Sequence, residues 1–201
     1  MKYIKGLMQV DAIETIKTRR SVRKFKDQVP SKALILQILD AARRGPNHHN
    51  TEPWHFFVLT GDGRDKLGKV YGRLNVKKLR DPDQQAINTA MAKGLAKARR
   101  APLLIVVTIE PSDSPKVVRV EEIAATACAV ENMLLAIHAF GLGAIWRTGD
   151  ASYTDEMKQA FAVSENGLVL GYLYVGYPQD DYHPPVRERK SVEEIADWVE
   201  S

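Results

Sequence analysis

Cysteine is nearly absent from this chain. A single cysteine, Cys128, occurs among 201 residues, so no intrachain disulfide can form, and no cysteine or histidine pair has the spacing of zinc ligands. Cys128 lies in the alanine-rich segment ATACAV, where a cysteine usually serves as a small apolar side chain. The sequence therefore predicts a reduced protein without thiol chemistry.

Long apolar runs and the motifs of several enzyme classes are also missing. No stretch of about 18 apolar residues occurs, and the N-terminal segment lacks an apolar region with a small-residue cleavage site. The G-x-S-x-G turn of hydrolases, the phosphate-binding loop, the kinase and zinc-deaminase signatures and the G-x-G-x-x-G dinucleotide motif do not appear. We expect a soluble, cytoplasmic protein whose chemistry depends on a bound cofactor.

The composition is that of an ordinary globular protein. Hydrophobic residues make up 44% and charged residues 27% of the chain, which argues against intrinsic disorder. A chain of this length fits one domain, so we expect a single domain over residues 1–201.

Positive charge is concentrated in the first half of the chain. Residues 1–100 carry 22 Lys and Arg against 9 Asp and Glu, whereas residues 101–201 carry 7 against 16. A phosphate-bearing small ligand, a nucleic acid, or pairing of the two halves across an interface would each explain this asymmetry. Composition alone leaves the three open.

The apolar pattern predicts helices separated by a few strands, an α+β sandwich. Strands are expected at 54–60, where the strand should be buried, and at 103–108, 144–148 and 168–177. Helices are expected after Asp11, after Ser31, over 118–140 and over 153–161. The stretch 64–100 is predicted to be a helical, mobile excursion, because its apolar residues are sparse. In the C-terminal extension 178–201, Ser191 and Glu194 form a capping-box pattern that predicts a last helix ending at Trp198.

The first candidate site is the basic run R-R-S-V-R-K-F at 19–25. Adjacent guanidinium groups and a hydroxyl can clamp a phosphate, because Arg donates hydrogen bonds in a planar fork. The alternative is that these charges are solvated and only stabilise the end of the preceding helix.

The second candidate is the segment 43–54, R-R-G-P-N-H-H-N-T-E-P-W. Its guanidinium, amide and imidazole groups can hydrogen-bond a polar heterocycle. A metal site at His48 and His49 is disfavoured, since adjacent residues of an extended segment point in opposite directions. For His49 the sequence favours a structural role.

The third candidate is G-L-G-A-I-W-R-T-G at 141–149, which follows the long helix. Trp146, Arg147 and Thr148 offer an apolar plane, a cation and a hydroxyl at the end of a short strand. The alternative is that Trp146 belongs to the core.

Taken in order and spacing, these three segments, together with L-V-L-G-Y-L-Y-V-G-Y-P at 168–178 and a terminal R-K-S-V-E-E, resemble the nitroreductase family, in particular its small NAD(P)H-dependent members. The resemblance implies a three-layer α/β/α sandwich with a mixed or antiparallel sheet around a long core helix, in a domain-exchanged homodimer. It also implies FMN at the dimer interface. Electrons would pass from NAD(P)H to nitroaromatic, quinone or similar small aromatic acceptors by a ping-pong mechanism.

The resemblance also assigns the residues that would hold the flavin. Arg19, Arg20 and Ser21 would bind the phosphate and ribityl chain, with Arg189 as a further phosphate ligand. Arg23 would lie near the pyrimidine edge, where a cation favours negative charge on the reduced ring. The remaining positions are Arg44 and His48, from the other subunit, and Trp146, Arg147 and Thr148, along the ring or ribityl chain. No catalytic side chain, metal ion, membrane or nucleic acid is expected.

The sequence departs from the family's motifs in two places. Asn47 and Glu52 replace the usual Ser and Gln of the family's second motif, and Trp146 begins a segment that replaces the P-x-E-G loop of larger members. Substrate preference is therefore not carried over.

Two rival interpretations of the function stay open. One rival is a flavoprotein of the same fold with another reaction, such as dehalogenation, dehydrogenation or flavin breakdown. The other is a polyanion-binding module, for which no recognised motif is present.

Overall fold

The computed structural model describes residues 11–200. The expectation about a missing N-terminal targeting segment concerns residues 1–10 and lies outside this range. Of the helices in the described range, none combines the length and the apolar character needed to cross a membrane.

Within residues 11–200 six α-helices form, and four of them begin at a residue whose side chain caps the first turn. Asp11, Ser31 and Asp83 each accept a hydrogen bond from the backbone N–H three residues later, at 2.9, 3.3 and 2.7 Å, which satisfies a free donor of the first turn. The helices are α1 (Ala12–Thr18), α2 (Lys32–Ala42), α3 (Asp65–Val76), α4 (Gln84–Ala98), α5 (Arg119–Ala139) and α6 (Asp155–Ala160).

Four strands of the described chain form one antiparallel sheet in the order β1-β2-β4-β3. The strands are β1 (Trp54–Thr60), β2 (Leu103–Ile109), β3 (Gly143–Arg147) and β4 (Leu168–Gly176). β2 is buried along its whole length, as expected for the predicted central strand. β1 lies at the edge and only Leu59 in it is buried, so the prediction of a buried strand at 54–60 was wrong. The residues at 54–60 are apolar because aromatic side chains cover both faces of this edge strand.

Helices cover both faces of the sheet and give the three layers that the resemblance implies. On one face, α2 and α5 pack through Ile38, Ala129 and Met133 against Ile105 and Leu173. On the other face, a second cluster joins α3 and α6 to the sheet and includes Leu67, Met157 and Tyr172. The fold is therefore an α/β/α sandwich, in which the sheet is the middle layer and the long helix α5 belongs to the layer on the first face.

The stretch 64–100 is helical, but it is not the loosely attached excursion that we expected. α3 and α4 lie against each other so closely that a Cβ on Gly94 would meet Gly72 N at 2.2 Å and Gly68 O at 2.6 Å. Leu67 and Val70 of α3 are fully buried. The sequence pattern misled because three glycines, Gly68, Gly72 and Gly94, which add nothing to the apolar pattern, allow this close helix contact.

The predicted last helix of the C-terminal extension does not form. Ser191 N donates a hydrogen bond to the Glu194 carboxylate at 2.9 Å, as in a capping box, but only a turn follows. Ile195 is 69% and Trp198 85% exposed. A short helix needs tertiary packing of its apolar face, and nothing in the described chain covers these side chains.

Candidate functional site

The basic segment after α1 lies along the free edge of β3. Val22 N donates to Ala144 O at 2.9 Å, and Ser21 forms a parallel bridge with Ala144. Farther along, Lys26 N donates to Tyr177 O at 2.8 Å. These backbone contacts place the arginines beside the strand that carries Trp146.

A cavity of about 560 Å³ lies between this segment, β3 and the C-terminal extension. Six of its lining side chains are basic and none is acidic: they are Lys17, Arg19, Arg20, Arg23, Arg187 and Arg189. The remaining lining residues are Ile16, Ser21, Ile145, Trp146 and Pro185. The volume is in the usual range for a small-molecule site, and the lining combines cations with an aromatic and aliphatic surface.

Trp146 is held in place by an irregularity in β4. Gly171 has φ +149°, and a Cβ there would lie 2.6 Å from both Trp146 Nε1 and Arg147 O. The register between β2 and β4 shifts next to this glycine, between Val107 and Thr108. Only glycine allows this close approach, so β4 fixes the indole at the cavity wall. Trp146 also packs on the core. It is therefore both a core residue and part of the cavity wall.

Arg19 and Arg20 differ in their contacts. The Arg20 guanidinium donates to the carbonyl oxygens of Lys17 and Arg19 at 2.6 and 2.9 Å. Arg19 lies 3.7 Å from the Glu131 carboxylate. Both cations approach His138 of α5; burial, followed by repulsion from Arg19 and then Arg20, lowers the pKa of the His138 imidazole. A patch that disfavours one more positive charge favours an anion.

The side chains of Arg147 and Thr148 do not line this cavity. Because side chains alternate along a strand, Arg147 lies on the opposite face from Trp146, with its guanidinium carbon 5.5 Å from the centre of the Tyr174 ring. Thr148 follows the end of β3 and is exposed. The structure thus brings Trp146 together with the basic segment and leaves its two successors outside.

Arg44 and His48 also lie away from the cavity within one chain. Both are exposed, Arg44 beside Asp40 at 3.5 Å and His48 with its ring centre 4.0 Å from that of His49. Their expected contribution from a second subunit stays a prediction.

The loop that carries His48 is strained. His49, Asn50 and Glu52 have φ values of 58°, 51° and 47°, a left-handed conformation that costs energy in residues other than glycine. The backbone of Glu52 is held by its N–H, which donates to the Asn47 side chain at 3.2 Å. Such strain persists only where neighbouring contacts enforce it.

Glu122 enforces this loop conformation, and the sequence analysis missed it. Its buried carboxylate accepts a hydrogen bond from the Thr51 hydroxyl and another from Ser112 N at 2.8 Å. Its position in the sequence could have revealed it, because Glu122 precedes Ala125, Ala129 and Met133 at helical spacing. All four lie on the buried face of α5. A lone carboxylate on a buried face needs specific partners.

The cavity fits a phosphorylated aromatic molecule. Guanidinium groups suit phosphate oxygens, and Trp146 and Ile145 offer apolar surface for a ring. No carboxylate among the lining residues repels a negative charge. The donor set of this cavity therefore suits a flat, anionic ligand.

Comparison with known proteins gives the family. The family model described as "Nitroreductase family" matches residues 16–177, and the chain belongs to this family of oxidoreductases.

Relatives and solved structures agree with this assignment. The chain is 35% identical over 175 residues to YdjA of Escherichia coli K12, which is provisionally named an NAD(P)H nitroreductase; the match covers 85% of this chain and 90% of YdjA. A nitroreductase-like protein from Bacillus cereus has a similar structure, with a TM-score of 0.80, 27% identity and coverage of 96% and 98%. A Bacteroides fragilis nitroreductase with bound FMN shares the fold, with a TM-score of 0.71, 24% identity and coverage of 96% and 100%.

Proposed function

We propose that this protein is an FMN-dependent oxidoreductase that passes electrons from NAD(P)H to nitroaromatic, quinone or similar acceptors by a ping-pong mechanism. The observation that carries the proposal is the cavity beside β3, in which six basic side chains and Trp146 surround a space without any acidic residue. Membership of the nitroreductase family and the similarity to YdjA support the same conclusion.

The residues of the cavity divide into an anion-binding part and a ring-binding part. Arg19, Arg20 and Ser21 would hold the FMN phosphate and ribityl chain, and Arg189 would close the cavity from the extension. Arg23 would lie nearer the ring, where its charge favours the anionic form of the reduced cofactor. FMN would supply the redox chemistry, accepting electrons from the nicotinamide and donating them to the acceptor.

The chain itself need not supply an acid, base or nucleophile for this reaction. Its part is to position the cofactor and leave one face open to the two substrates in turn. Trp146, fixed by Gly171, provides a rigid wall for that purpose.

We also propose that the functional unit is a homodimer, with Arg44 and His48 reaching the cofactor of the other subunit. Two features support this arrangement. The C-terminal extension exposes Ile195 and Trp198, which need a partner surface. β1, at the sheet edge, has no strand paired on its outer side among residues 11–200, and an edge strand can accept a segment of another chain.

Anaerobic reduction of the flavin-loaded protein tests the proposed reaction. NADH or NADPH should bleach the flavin absorbance in a stopped-flow experiment, and a nitroaromatic or quinone added afterwards should restore it. Failure of both nicotinamides to bleach the flavin would refute the oxidoreductase activity. Bleaching without reoxidation by either acceptor would refute the proposed acceptor class.

A further inference from the structure

A histidine of α5 lies behind two of the arginines that line the cavity. Arg19 and Arg20 line both the cavity beside β3 and a narrow crevice against α5, whereas His138 lines the crevice and not the cavity. The other residues of the crevice are apolar: they are Leu134, Ile137, Leu142 and Ala144. His138 can therefore act on a ligand in the cavity only through its neighbours.

The hydrogen bonds of Thr18 determine which nitrogen of the His138 imidazole carries the proton. The Thr18 hydroxyl has a single hydrogen, which it donates to Glu14 O at 2.7 Å. His138 Nε2 lies 2.9 Å from the same hydroxyl oxygen, so this nitrogen is the donor and the oxygen is the acceptor. The neutral imidazole is thus protonated on Nε2. An imidazolium carries the same proton, and the contact therefore persists in both charge states.

This contact holds the last turn of α1, and that turn holds Arg20. The carbonyl oxygens of Lys17 and Arg19, the residues on either side of Thr18, accept hydrogen bonds from the Arg20 guanidinium at 2.6 and 2.9 Å. Within the described chain, the segment pairs with β3 from Ser21 onward. The turn before that point depends on side-chain contacts with α5 for its position.

His138 also responds to the charge at the cavity. Arg19 and Arg20 face it from the end of α1, and burial, followed by repulsion from these two cations, lowers the pKa of the imidazole. Among residues 11–200, Glu131 of α5 is the only carboxylate within ion-pair distance of either arginine, at 3.7 Å from Arg19. An anion bound to the arginines offsets their repulsion and favours the imidazolium. Because linkage is reciprocal, protonation of His138 strengthens anion binding by the same factor.

We propose that His138 is a positioning residue of the anion site, which fixes Arg20 through Thr18 and takes up a proton when an anion binds to the two arginines. His138 is not a catalytic residue, since it does not line the cavity. Its protonation adds a third cation behind the arginines without breaking the hydrogen bond to Thr18, so acidification strengthens binding. Only the identity of the natural anion, the phosphate of FMN, rests on the proposed function.

Sulfate tests the proton uptake in the flavin-free protein, because it is an oxyanion that does not itself titrate near neutral pH. An NMR titration of the His138 imidazole should give a higher pKa in sulfate than in chloride at the same ionic strength. Sulfate should also bind more tightly as the pH falls through 6.5, the ordinary pKa of the group. His55, exposed on β1, is the internal reference and should have the same pKa in both salts. Equal His138 pKa values in the two salts, or a sulfate affinity that does not change with pH, would overturn the proton coupling.

Two substitutions of Thr18 test the positioning role. Thr18→Ser keeps the hydroxyl acceptor, whereas the isosteric Thr18→Val removes it; the position is exposed, so both variants should fold. Proton–nitrogen NMR spectra should show the Nε2–H tautomer of His138 in the wild type and in Thr18→Ser, and a mixture of tautomers in Thr18→Val. At a pH where the imidazole is neutral, Thr18→Val should bind sulfate about two- to tenfold more weakly than Thr18→Ser, the effect of one hydrogen bond. An Nδ1–H tautomer in the wild type, or equal sulfate affinities of the two variants, would overturn the positioning role.

His138→Gln separates the hydrogen bond from the charge. Its side-chain amide can donate to Thr18 but cannot take up a proton, so sulfate affinity above pH 6.5 should be retained while the rise at lower pH is lost. A pH dependence that persists in His138→Gln would exclude His138 as its source. None of these measurements uses flavin or nicotinamide. Failure of the proposed redox function would therefore show in the bleaching experiment and leave the sulfate results unchanged.

Discussion

The Glu122 carboxylate, buried in α5, accepts a hydrogen bond from the hydroxyl of Thr51, 71 residues earlier in the chain. This contact connects the core of the protein to the strained loop that carries His48. The contact therefore anchors a loop whose His48 we propose to reach the cofactor of a second subunit.

Replacing Glu122 with Gln should destabilise the protein by about 1–3 kcal/mol, the cost of leaving a buried donor without its acceptor. One amide oxygen can replace one carboxylate oxygen, but the amide NH₂ would then face either the Ser112 N–H or the Thr51 hydroxyl. Urea unfolding measures the change. Glu121→Gln, exposed on the same helix, is the control and should be nearly neutral; similar midpoints for the two variants would contradict the anchoring role.

Gly94→Ala should destabilise the protein more than Glu122→Gln does. Its Cβ would meet the backbone of Gly72 at 2.2 Å, and backbone cannot move aside as a flexible side chain can, so we expect a loss of about 3 kcal/mol or more. Gly63→Ala is the matched control, because nothing lies within 4 Å of its added Cβ. Denaturant midpoints close to the wild type for both variants would show that the contact between α3 and α4 is looser than described.

The shifted pKa of His138 predicts how the stability of the protein depends on pH. The folded-state pKa lies below the ordinary value of 6.5, so between these two values the unfolded chain binds a proton that the folded chain does not. Stability should therefore fall as the pH drops through 6.5 toward the folded pKa, and it is unaffected by this group above that window. An NMR titration of the imidazole Cε1 proton measures the folded value.

Two changes should move this pKa upward. Arg19→Gln removes the larger of the two repulsions, and bound FMN would neutralise Arg19 and Arg20 with its phosphate. Titration of His138 at or above 6.5 in the FMN-free protein would refute the electrostatic description of this patch.

Trp198→Glu tests the homodimer. Trp198 is 85% exposed in the single chain, so the fold of the subunit should be preserved, whereas a charge placed in an apolar interface should weaken association. Sedimentation velocity should show the wild type as a dimer and the variant shifted toward monomer. Glu193→Ala, on the same exposed segment, should stay dimeric; a monomeric wild type would exclude the proposed arrangement.

Local patterns in the sequence predict most of the fold. The caps at Asp11 and Ser31 and the apolar run at 103–108 lead directly to α1, α2 and the central strand. The failures have a common cause, which is packing between segments distant in sequence. Gly94 and its neighbours pack helices without large side chains, and the capping box at Ser191 cannot build a helix for which the chain offers no apolar partner.

The candidate site, like the fold, was predictable from local sequence patterns only in part. The basic segment and Trp146 are recognisable in sequence, and the structure brings them to one cavity. The alternation of side chains along β3, which turns Arg147 toward Tyr174, could have been read from the strand period, but the three consecutive residues were treated as one group. Glu122 was overlooked because its partners come from two loops whose positions no local pattern predicts.

Titration of the flavin-free protein with FMN, followed by flavin fluorescence and absorbance, tests the central claim most directly. We predict a yellow complex with one FMN per chain, and binding weaker by about 1.5–3 kcal/mol in Arg20→Ala, the usual contribution of a charged hydrogen bond. A colourless protein that takes up no FMN, or equal affinity of the wild type and Arg20→Ala, would contradict the assignment of this cavity to the flavin.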